Sequence, residues 1–185
     1  LHGSSAASDV YKRQHIEDFH LDGYAMETNI TEKNQHTIRG CIMYIKQGID
    51  YKIYEFPDNL KQFDEHVTVL VNLHGNDKLL CSTLYRRGAS SPENNTALLK
   101  FIKHISLNES FSHIVLMGDI NLKNIDWENM FCSVENENDY SNQFLDTLRK
   151  AYLVQHVTEP TRQRGGDEPS TLDLIMTNEE GTIQN

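Results

Sequence analysis

The fold is decided by one stretch of sequence, IVLMGDIN at residues 114–121. Its first four residues are apolar and partly β-branched, which is typical of a buried strand. Gly118 can adopt backbone angles that are closed to other residues, so the chain can turn sharply there. Asp119 and Asn121 are two positions apart and share one side of an extended segment. The stretch therefore predicts a buried strand that ends in a carboxylate and a carboxamide on one face.

The polar end of this stretch has two interpretations. A carboxylate can hold a hard cation or orient a water molecule, and an amide can donate to a phosphate oxygen. Gly, Asp and Asn are also common in turns that merely end a strand. Both interpretations stay open on this stretch alone, so the neighbouring sequence has to decide between them.

The bulk composition indicates a globular chain with one domain or most of one. It has 185 residues, of which 38% are hydrophobic and 24% charged. Apolar runs stay well short of the 18 residues of a membrane span, and no leader precedes the fold, so we expect no membrane association and an intracellular protein. The compartment itself, with the nucleus as one option, is not fixed by the sequence.

Charge and metal-binding residue types exclude several classes of protein. The three cysteines form no CxxC pair, which argues against a disulfide framework and a zinc site. The nine histidines form no HExxH pair. The formal charge of −10 disfavours long-range attraction to nucleic acid, although it suits cation binding and allows a locally basic site.

Residues 1–14 do not read as part of the fold. They are rich in Ser and Ala, lack periodicity and lead into no capped element, so we interpret them as a non-native or disordered tail. Residues 15–185 are then expected to form a partial domain.

The first half of the chain predicts mainly strands. Polar residues follow the turn at 22–24 as far as residue 40, and Cys41–Ile45 and Tyr51–Phe56 are predicted to pair through a turn at 47–48. Residues 67–73 form a predicted strand with one strongly apolar face, made by its odd-numbered residues. A turn at 76–77 joins this strand to a second hairpin strand, Leu79–Tyr85.

Two helices frame the central strand. Ser91 and Pro92 supply the cap and first position of one helix, whose apolar residues recur at helical spacing to Ile105. A loop at 122–139, anchored by Trp127, follows the central strand. A second amphipathic helix is marked by the apolar residues Phe144, Leu145, Leu148 and Tyr152. A polar loop at 163–169 precedes the last strand, residues 172–177. Strands with hairpins and two helices predict an α/β domain whose sheet is not purely parallel.

Polar residues stand at the ends of these strands, where ligand sites commonly form. Tyr85, Arg86 and Arg87 close the hairpin strand, and Asp119 and Asn121 close the central one. The segments at 160–162 and 170–173 flank the last loop. Asp173 lies in an otherwise apolar strand and is expected to need a partner, because an unpaired buried charge is costly.

The GDIN segment and the IDW at 125–127 resemble the endonuclease/exonuclease/phosphatase superfamily, which has the DNase I-like fold. They are most similar to the endonuclease domains of non-LTR retrotransposons. Four further segments resemble the same branch. They are RGCIMYIK at 39–46, LYR at 84–86, QHVTEPTR at 155–162 and STLDLIMTN at 170–178. These motifs follow the family order from about Asp22 to Asn185.

The resemblance implies a fold and a chemistry. The fold is a four-layer α/β/β/α sandwich, here incomplete at both ends. The chemistry is hydrolysis of a phosphodiester with Mg²⁺ or Mn²⁺, and the implied partner is nucleic acid, with DNA expected. Asp119 would orient or deprotonate the attacking water and would bind the metal. Asn121 would hold a phosphate oxygen, Tyr85 would stabilise the phosphoryl charge, and Asp173 would orient a catalytic histidine.

Phosphate contacts are implied for a second group of residues. Ser170 could contact a phosphate, and arginine forks match phosphate oxygens well. The arginines that could line a cationic groove are Arg86, Arg87, Arg162 and Arg164. For each of them a solvated surface charge is the open alternative.

The sequence departs from the family pattern in three places. The family's first-strand Asn and its metal-binding Glu should precede residue 22, where the odd tail stands, and the terminal Ser-Asp-His motif is absent. Glu27-Thr28 imitates the family's Glu-Thr pair but follows the Gly-Tyr turn, so we interpret Glu27 as a loop residue. The usual Pro-Asn after the Tyr-Arg pair is replaced by Arg87-Gly88-Ala89. We therefore expect a truncated domain with little activity.

Two further functions remain open. A superfamily phosphatase could act on a small phosphate ester or a phosphoinositide, and a non-catalytic remnant could bind nucleic acid or protein. The sequence fixes neither the target site, nor DNA against RNA, nor the oligomeric state.

Overall fold

The computed structural model describes residues 19–34, 37–60, 62–108, 110–163, 165–166 and 168–183. The predicted tail at residues 1–14 and Arg164 lie outside them. The strands are β1 (Tyr24–Asn34), β2 (Thr37–Lys46), β3 (Tyr51–Ile53), β4 (His66–Asn72), β5 (Lys78–Tyr85), β6 (His113–Asp119), β7 (Ile125–Asp126), β8 (Phe131–Cys132), β9 (Val154–Gln155) and β10 (Asp173–Thr177). The helices are α1 (Pro92–Ser106) and α2 (Tyr140–Lys150). Within these ranges, none of the helices has the length and apolar character needed to cross a membrane.

Six strands form a mixed sheet in the order β3-β4-β5-β6-β10-β9. Strands β5 and β6 are parallel, and the other neighbours are antiparallel. The prediction of an α/β domain with a sheet that is not purely parallel is confirmed. The crossover from β5 to β6 runs through α1, as a parallel pair requires.

Both helices begin at residues whose side chains cap them. The Ser91 hydroxyl accepts the N–H of Asn94 at 3.2 Å, and Pro92 occupies the first helical turn. The Asp139 carboxylate accepts the N–H of Ser141 at 2.8 Å, and α2 begins at the next residue, Tyr140. The prediction that Tyr152 belongs to this helix is wrong, because α2 ends at Lys150 and Tyr152 is exposed with φ +54°. The apolar sides of both helices cover one face of the six-stranded sheet.

The main core lies between the helices and this sheet. Leu80, Leu116 and Leu174 of the sheet are buried against Ile102 of α1 and Phe144 of α2. Each such side chain contributes about 1.5–3 kcal/mol when it leaves water. This core fixes the relative positions of β5, β6 and β10.

The opposite face of the sheet is covered by a second, smaller sheet made of β1 and β2. Cys41, Met43 and Ile45 point from β2 onto Val67 and Val69 of β4. The layers are thus helices, a six-stranded sheet and a two-stranded sheet, which is a partial DNase I-like sandwich.

The predicted pairing of Cys41–Ile45 with Tyr51–Phe56 is wrong. Strand β2 pairs with β1, and β3 pairs with β4. Strand β1 was not predicted from the sequence, because its side chains from Tyr24 to Ile30 are exposed or half-buried and show no apolar alternation. Glu27, predicted to be in a loop, lies in β1 and accepts the Tyr51 hydroxyl at 2.7 Å.

The segment predicted as a plain loop at 122–139 contains the short pair β7–β8. Trp127, the predicted anchor of this segment, is buried there. Its indole N–H donates to the carbonyl of Thr171 at 3.2 Å. The segment after β6 is therefore tied to the segment that leads into β10.

Two glycines allow neighbouring strands to approach closely. Gly118 has φ +141°, and a Cβ there would lie 1.8 Å from the Leu84 carbonyl oxygen of β5. Gly40 has φ +144°, and a Cβ there would lie 1.9 Å from the Asn29 carbonyl oxygen of β1. Only glycine fits either position. Gly118 thereby sets the spacing of the strand ends that carry Tyr85 and Asp119.

Candidate active site

Three strand ends bring predicted site residues to one edge of the six-stranded sheet. Asp119 at the end of β6 is the register partner of Asp173 at the start of β10. On its other side Asp119 is paired with Tyr85 at the end of β5. Tyr85 packs against the cluster between the two sheets, so this is the face on which the three side chains meet.

Asp119 is half-buried, and its pKa is shifted from the usual value of a carboxyl group. One carboxylate oxygen accepts the backbone N–H of Asn121 at 3.1 Å. Burial, followed by the neighbouring charge of Asp173, raises the pKa of Asp119, while Asn121 and Arg162 act in the opposite direction. Perturbed carboxylates of this kind are common at functional sites.

The Asn121 amide is engaged with the backbone of β5. Asn121 has φ +54°, a conformation that Asn tolerates, and its Nδ2 donates to the carbonyl of Arg86 at 3.0 Å. The N–H of Arg86 donates in turn to the carbonyl of Asp119 at 2.8 Å. These two hydrogen bonds lock the ends of β5 and β6 together. A phosphate contact of Asn121 stays a prediction.

Arg86 is directed into the helix side of the protein. It is 4% exposed, its Nε donates to Asn95 Oδ1 at 2.8 Å, and Nη1 donates to the Ile120 carbonyl at 3.1 Å. The guanidinium also lies 4.4 Å from the ring centre of Tyr140. Burial lowers the pKa of Arg86. Because these partners use the guanidinium inside the protein, we leave Arg86 out of the phosphate-binding set.

An open depression of about 360 Å³ lies beside the two carboxylates. Arg162 lines it and is half-buried. Ser170 forms a two-way backbone bridge with Arg162, with both N···O distances 3.0 Å, and is not among the lining residues. The residues lining the depression are Asp119, Thr161, Arg162, Gln163, Leu172 and Asp173.

Asp173 is exposed at the first residue of β10, so the expectation of a buried charge in need of a partner is wrong. Water solvates this carboxylate because the strand begins at the sheet edge. Its backbone N–H donates to Thr161 Oγ1 at 3.1 Å, and the N–H of Leu172 donates to the same oxygen at 3.0 Å.

Thr161 is a site residue that the sequence analysis did not single out. Two N–H groups occupy the two acceptor positions of its hydroxyl, so the O–H hydrogen is left to donate. Thr161 lines the depression, where the possible acceptors are carboxylate or phosphate oxygens. The signal was present in the Pro-Thr-Arg at 160–162, of which only the arginine was considered.

The carboxylates of Asp119 and Asp173 fit a hard divalent cation in part. They are oxygen donors on neighbouring strands, and a cation would relieve the repulsion from Asp173, which after burial is the second cause of the raised pKa of Asp119. Across the part of the chain that the structure describes, no group of three or more His, Cys, Asp or Glu side chains is placed to hold a metal. Glu27 lines a different cavity, of about 420 Å³.

The fold and this edge define a class of protein, the endonuclease/exonuclease/phosphatase superfamily with its DNase I-like fold. The model of the family described as endonuclease-reverse transcriptase matches residues 79–185. The chain belongs to that family. No curated protein matches it.

Solved structures show the same fold at low identity. The endonuclease domain of TRAS1, a telomere-specific non-LTR retrotransposon, is 16% identical, with a TM-score of 0.58 over 84% of this chain and 65% of that one. An endonuclease/exonuclease/phosphatase family protein from Leptotrichia buccalis is 13% identical, with a TM-score of 0.50 over 86% of this chain and 61% of that one. The chain thus spans less than two thirds of either structure.

Proposed function

We propose that this chain is part of a DNA endonuclease of the non-LTR retrotransposon type, which hydrolyses a phosphodiester with the help of Mg²⁺ or Mn²⁺. The observation that carries the proposal is the shared register of Tyr85, Asp119 and Asp173 at one sheet edge. The family membership and the fold support it.

Asp119 is the proposed group that orients the attacking water and accepts its proton. Burial, the larger cause of its raised pKa, favours a carboxylate that can accept a proton, and it does not depend on the repulsion from Asp173 that a cation would relieve. The backbone N–H of Asn121 holds one oxygen and so orients the carboxylate for the water. This arrangement supplies the positioning on which phosphoryl transfer mainly depends.

The phosphate would be held by donors on both sides of Asp119. Tyr85 has a hydroxyl that can donate to a phosphoryl oxygen, and Thr161 has a hydroxyl hydrogen for which the described residues supply no acceptor. Arg162 adds a cation within the depression. A divalent ion held by Asp119 and Asp173 would neutralise charge on the phosphate oxygens.

A plasmid-nicking assay tests the proposed function. The protein encoded by the natural reading frame that contains this chain should relax supercoiled plasmid in Mg²⁺. The chain alone should relax it weakly. Asp119→Ala should lower the rate by about 10²-fold or more, because it removes the proposed base. Asp146→Ala, an exposed carboxylate in α2, is the matched control and should have no effect. Nicking that persists in a chelator or in Asp119→Ala contradicts the proposal.

A further inference from the structure

Glu65 is a buried carboxylate that the proposed chemistry does not use. It is 1% exposed and lies immediately before β4. Its backbone carbonyl accepts the N–H of Tyr85 at 2.9 Å and the thiol of Cys41 at 3.4 Å. Glu65 therefore lies beside Tyr85, on the same sheet edge that carries Asp119.

The strand alternation places the Glu65 side chain between the two sheets. Val67 and Val69 of β4 contact the two-stranded sheet, so Glu65, two residues earlier, has the same direction. Tyr85 packs against this cluster as well. The carboxylate is thus on the face that the proposed site residues share.

Arg87 is the cation that pairs with this carboxylate. Its Nε donates to Glu65 Oε1 at 2.8 Å, and its Nη2 donates to the same oxygen. The Arg87 side chain is 26% exposed, so it reaches from the buried carboxylate to the surface. An arginine has five N–H donors. The bonds to Glu65 occupy two of them, and the described residues supply no acceptor for the others.

The environment of Arg87 keeps it charged and close to Tyr85. Hydrogen bonding to Glu65 raises the pKa of Arg87, and the nearby Asp64 and Tyr85 act in the same direction against its desolvation. The second oxygen of Glu65 is buried without a hydrogen-bond partner among the described residues. Burying a carboxylate in this way is costly, so Arg87 is its compensating charge.

Neighbouring Arg86 and Arg87 therefore have different uses. Arg86 is buried among protein acceptors, and Arg87 holds its free N–H groups at the surface next to Tyr85. We propose that Glu65 is a positioning residue, which fixes the Arg87 guanidinium beside Tyr85 as a phosphate-binding group for the nucleic-acid strand. The inference rests on the proposed function, because it takes the substrate to be nucleic acid.

Binding of a fluorescent DNA duplex, followed by anisotropy over a range of salt concentrations, tests this inference. Glu65→Gln removes a negative charge, which by charge alone would strengthen binding to a polyanion. Loss of positioning should instead weaken binding about three- to tenfold and reduce the salt slope by about one. Tighter binding by Glu65→Gln overturns the inference.

A neutral double variant keeps the test independent of folding. Glu65→Gln with Arg87→Gln leaves no unpaired buried charge, and it should bind within about twofold of Glu65→Gln alone because the two residues act as one unit. Arg149→Gln in α2 is the matched control and should bind like the wild type. A fall in melting temperature with unchanged affinity and salt slope would mean a purely structural pair.

The inference and the proposed function fail in different ways. If Asp119→Ala nicks plasmid normally and Glu65→Gln still weakens binding, only the proposed function falls. If nicking depends on Asp119 and the Glu65 and Arg87 variants bind DNA like the wild type, only the inference falls. A wild-type chain with no affinity for the duplex also overturns the inference.

Discussion

The two sheets of this protein differ in what holds them. The six-stranded sheet is fixed on one face by a large core shared with α1 and α2. Among the side chains that the structure describes, the two-stranded sheet shares a smaller cluster with it, formed by Cys41, Met43 and Ile45 with Val67 and Val69. Tyr85, Asp119 and Asp173 all belong to the first sheet. Groups that must keep a fixed spacing are thus placed on the sheet with the larger buried core, and the smaller sheet covers its other face.

Equivalent glycine substitutions in the two sheets provide the strongest contrast. Gly118→Ala would put Cβ 1.8 Å from the Leu84 carbonyl oxygen, and the packed sheet cannot shift to make room. We expect a loss of more than about 4 kcal/mol, and thus a largely unfolded chain. Gly40→Ala creates a similar clash with Asn29, but the smaller cluster behind β2 opposes a shift less than the main core does, so the loss should be about 1–3 kcal/mol. Urea denaturation followed by circular dichroism measures both, and equal losses would contradict the difference between the sheets.

Truncation of one buried side chain in each cluster gives the next largest effect. Leu116→Ala empties a fully buried position under the helices and should cost about 3–5 kcal/mol. Ile45→Ala removes a side chain that is 7% exposed in the smaller cluster and should cost about 2 kcal/mol, since the cover can collapse around the gap. The same denaturation series measures both. A larger loss for Ile45→Ala would show that the small sheet is the more tightly held.

Acid should weaken the helix side of the large sheet through His66. Burial against Phe56 and Phe101 lowers the pKa of His66 from 6.5 to about 4. Because the folded pKa is the lower one, this stability is present above pH 6.5 and is lost as the pH falls towards 4, by at most about 3 kcal/mol. Melting temperatures measured across this range should fall less for His66→Gln. Parallel curves for the two proteins would rule out His66 as the acid-sensitive group.

The smallest effect concerns the site edge itself. The folded pKa of Asp119 is raised, so its ionised form destabilises the fold above that pKa. Asp119→Asn keeps the acceptor for Asn121 and should raise the melting temperature slightly at neutral pH, but not in strong acid. Added Mg²⁺ should stabilise the wild type and not Asp119→Asn, because binding to the folded state shifts unfolding. Scanning calorimetry measures both, and Mg²⁺ stabilisation retained in Asp119→Asn would argue against a cation held by Asp119.

The sequence was informative wherever burial leaves a periodic pattern. The central strand, the hairpin of β4 and β5 and the Ser91 cap follow from apolar alternation and capping residues, and all are present. Strand β1 lacks such a pattern, and its pairing with β2 is chosen by long-range packing that local spacing does not encode. The wrong partner for β2 has this origin.

At the site, the positions of residues were more predictable than their uses. The strand ends that carry Tyr85, Asp119 and Asp173 do meet at one edge. The opposite directions of Arg86 and Arg87 could have been inferred from strand alternation once Tyr85 is placed between the sheets. The Asn121 bond to the Arg86 carbonyl could not, because it depends on the distance between two strand ends in the folded chain.

Trp127 is the single tryptophan of the chain, and its indole N–H bonds to the backbone just before Leu172 and Asp173. Its emission on selective excitation therefore originates beside the segment that leads into Asp173, without any attached dye. Titration with a cation or an oligonucleotide can be followed by this intrinsic optical signal, and quenching by acrylamide would show whether the indole stays shielded when the edge is occupied.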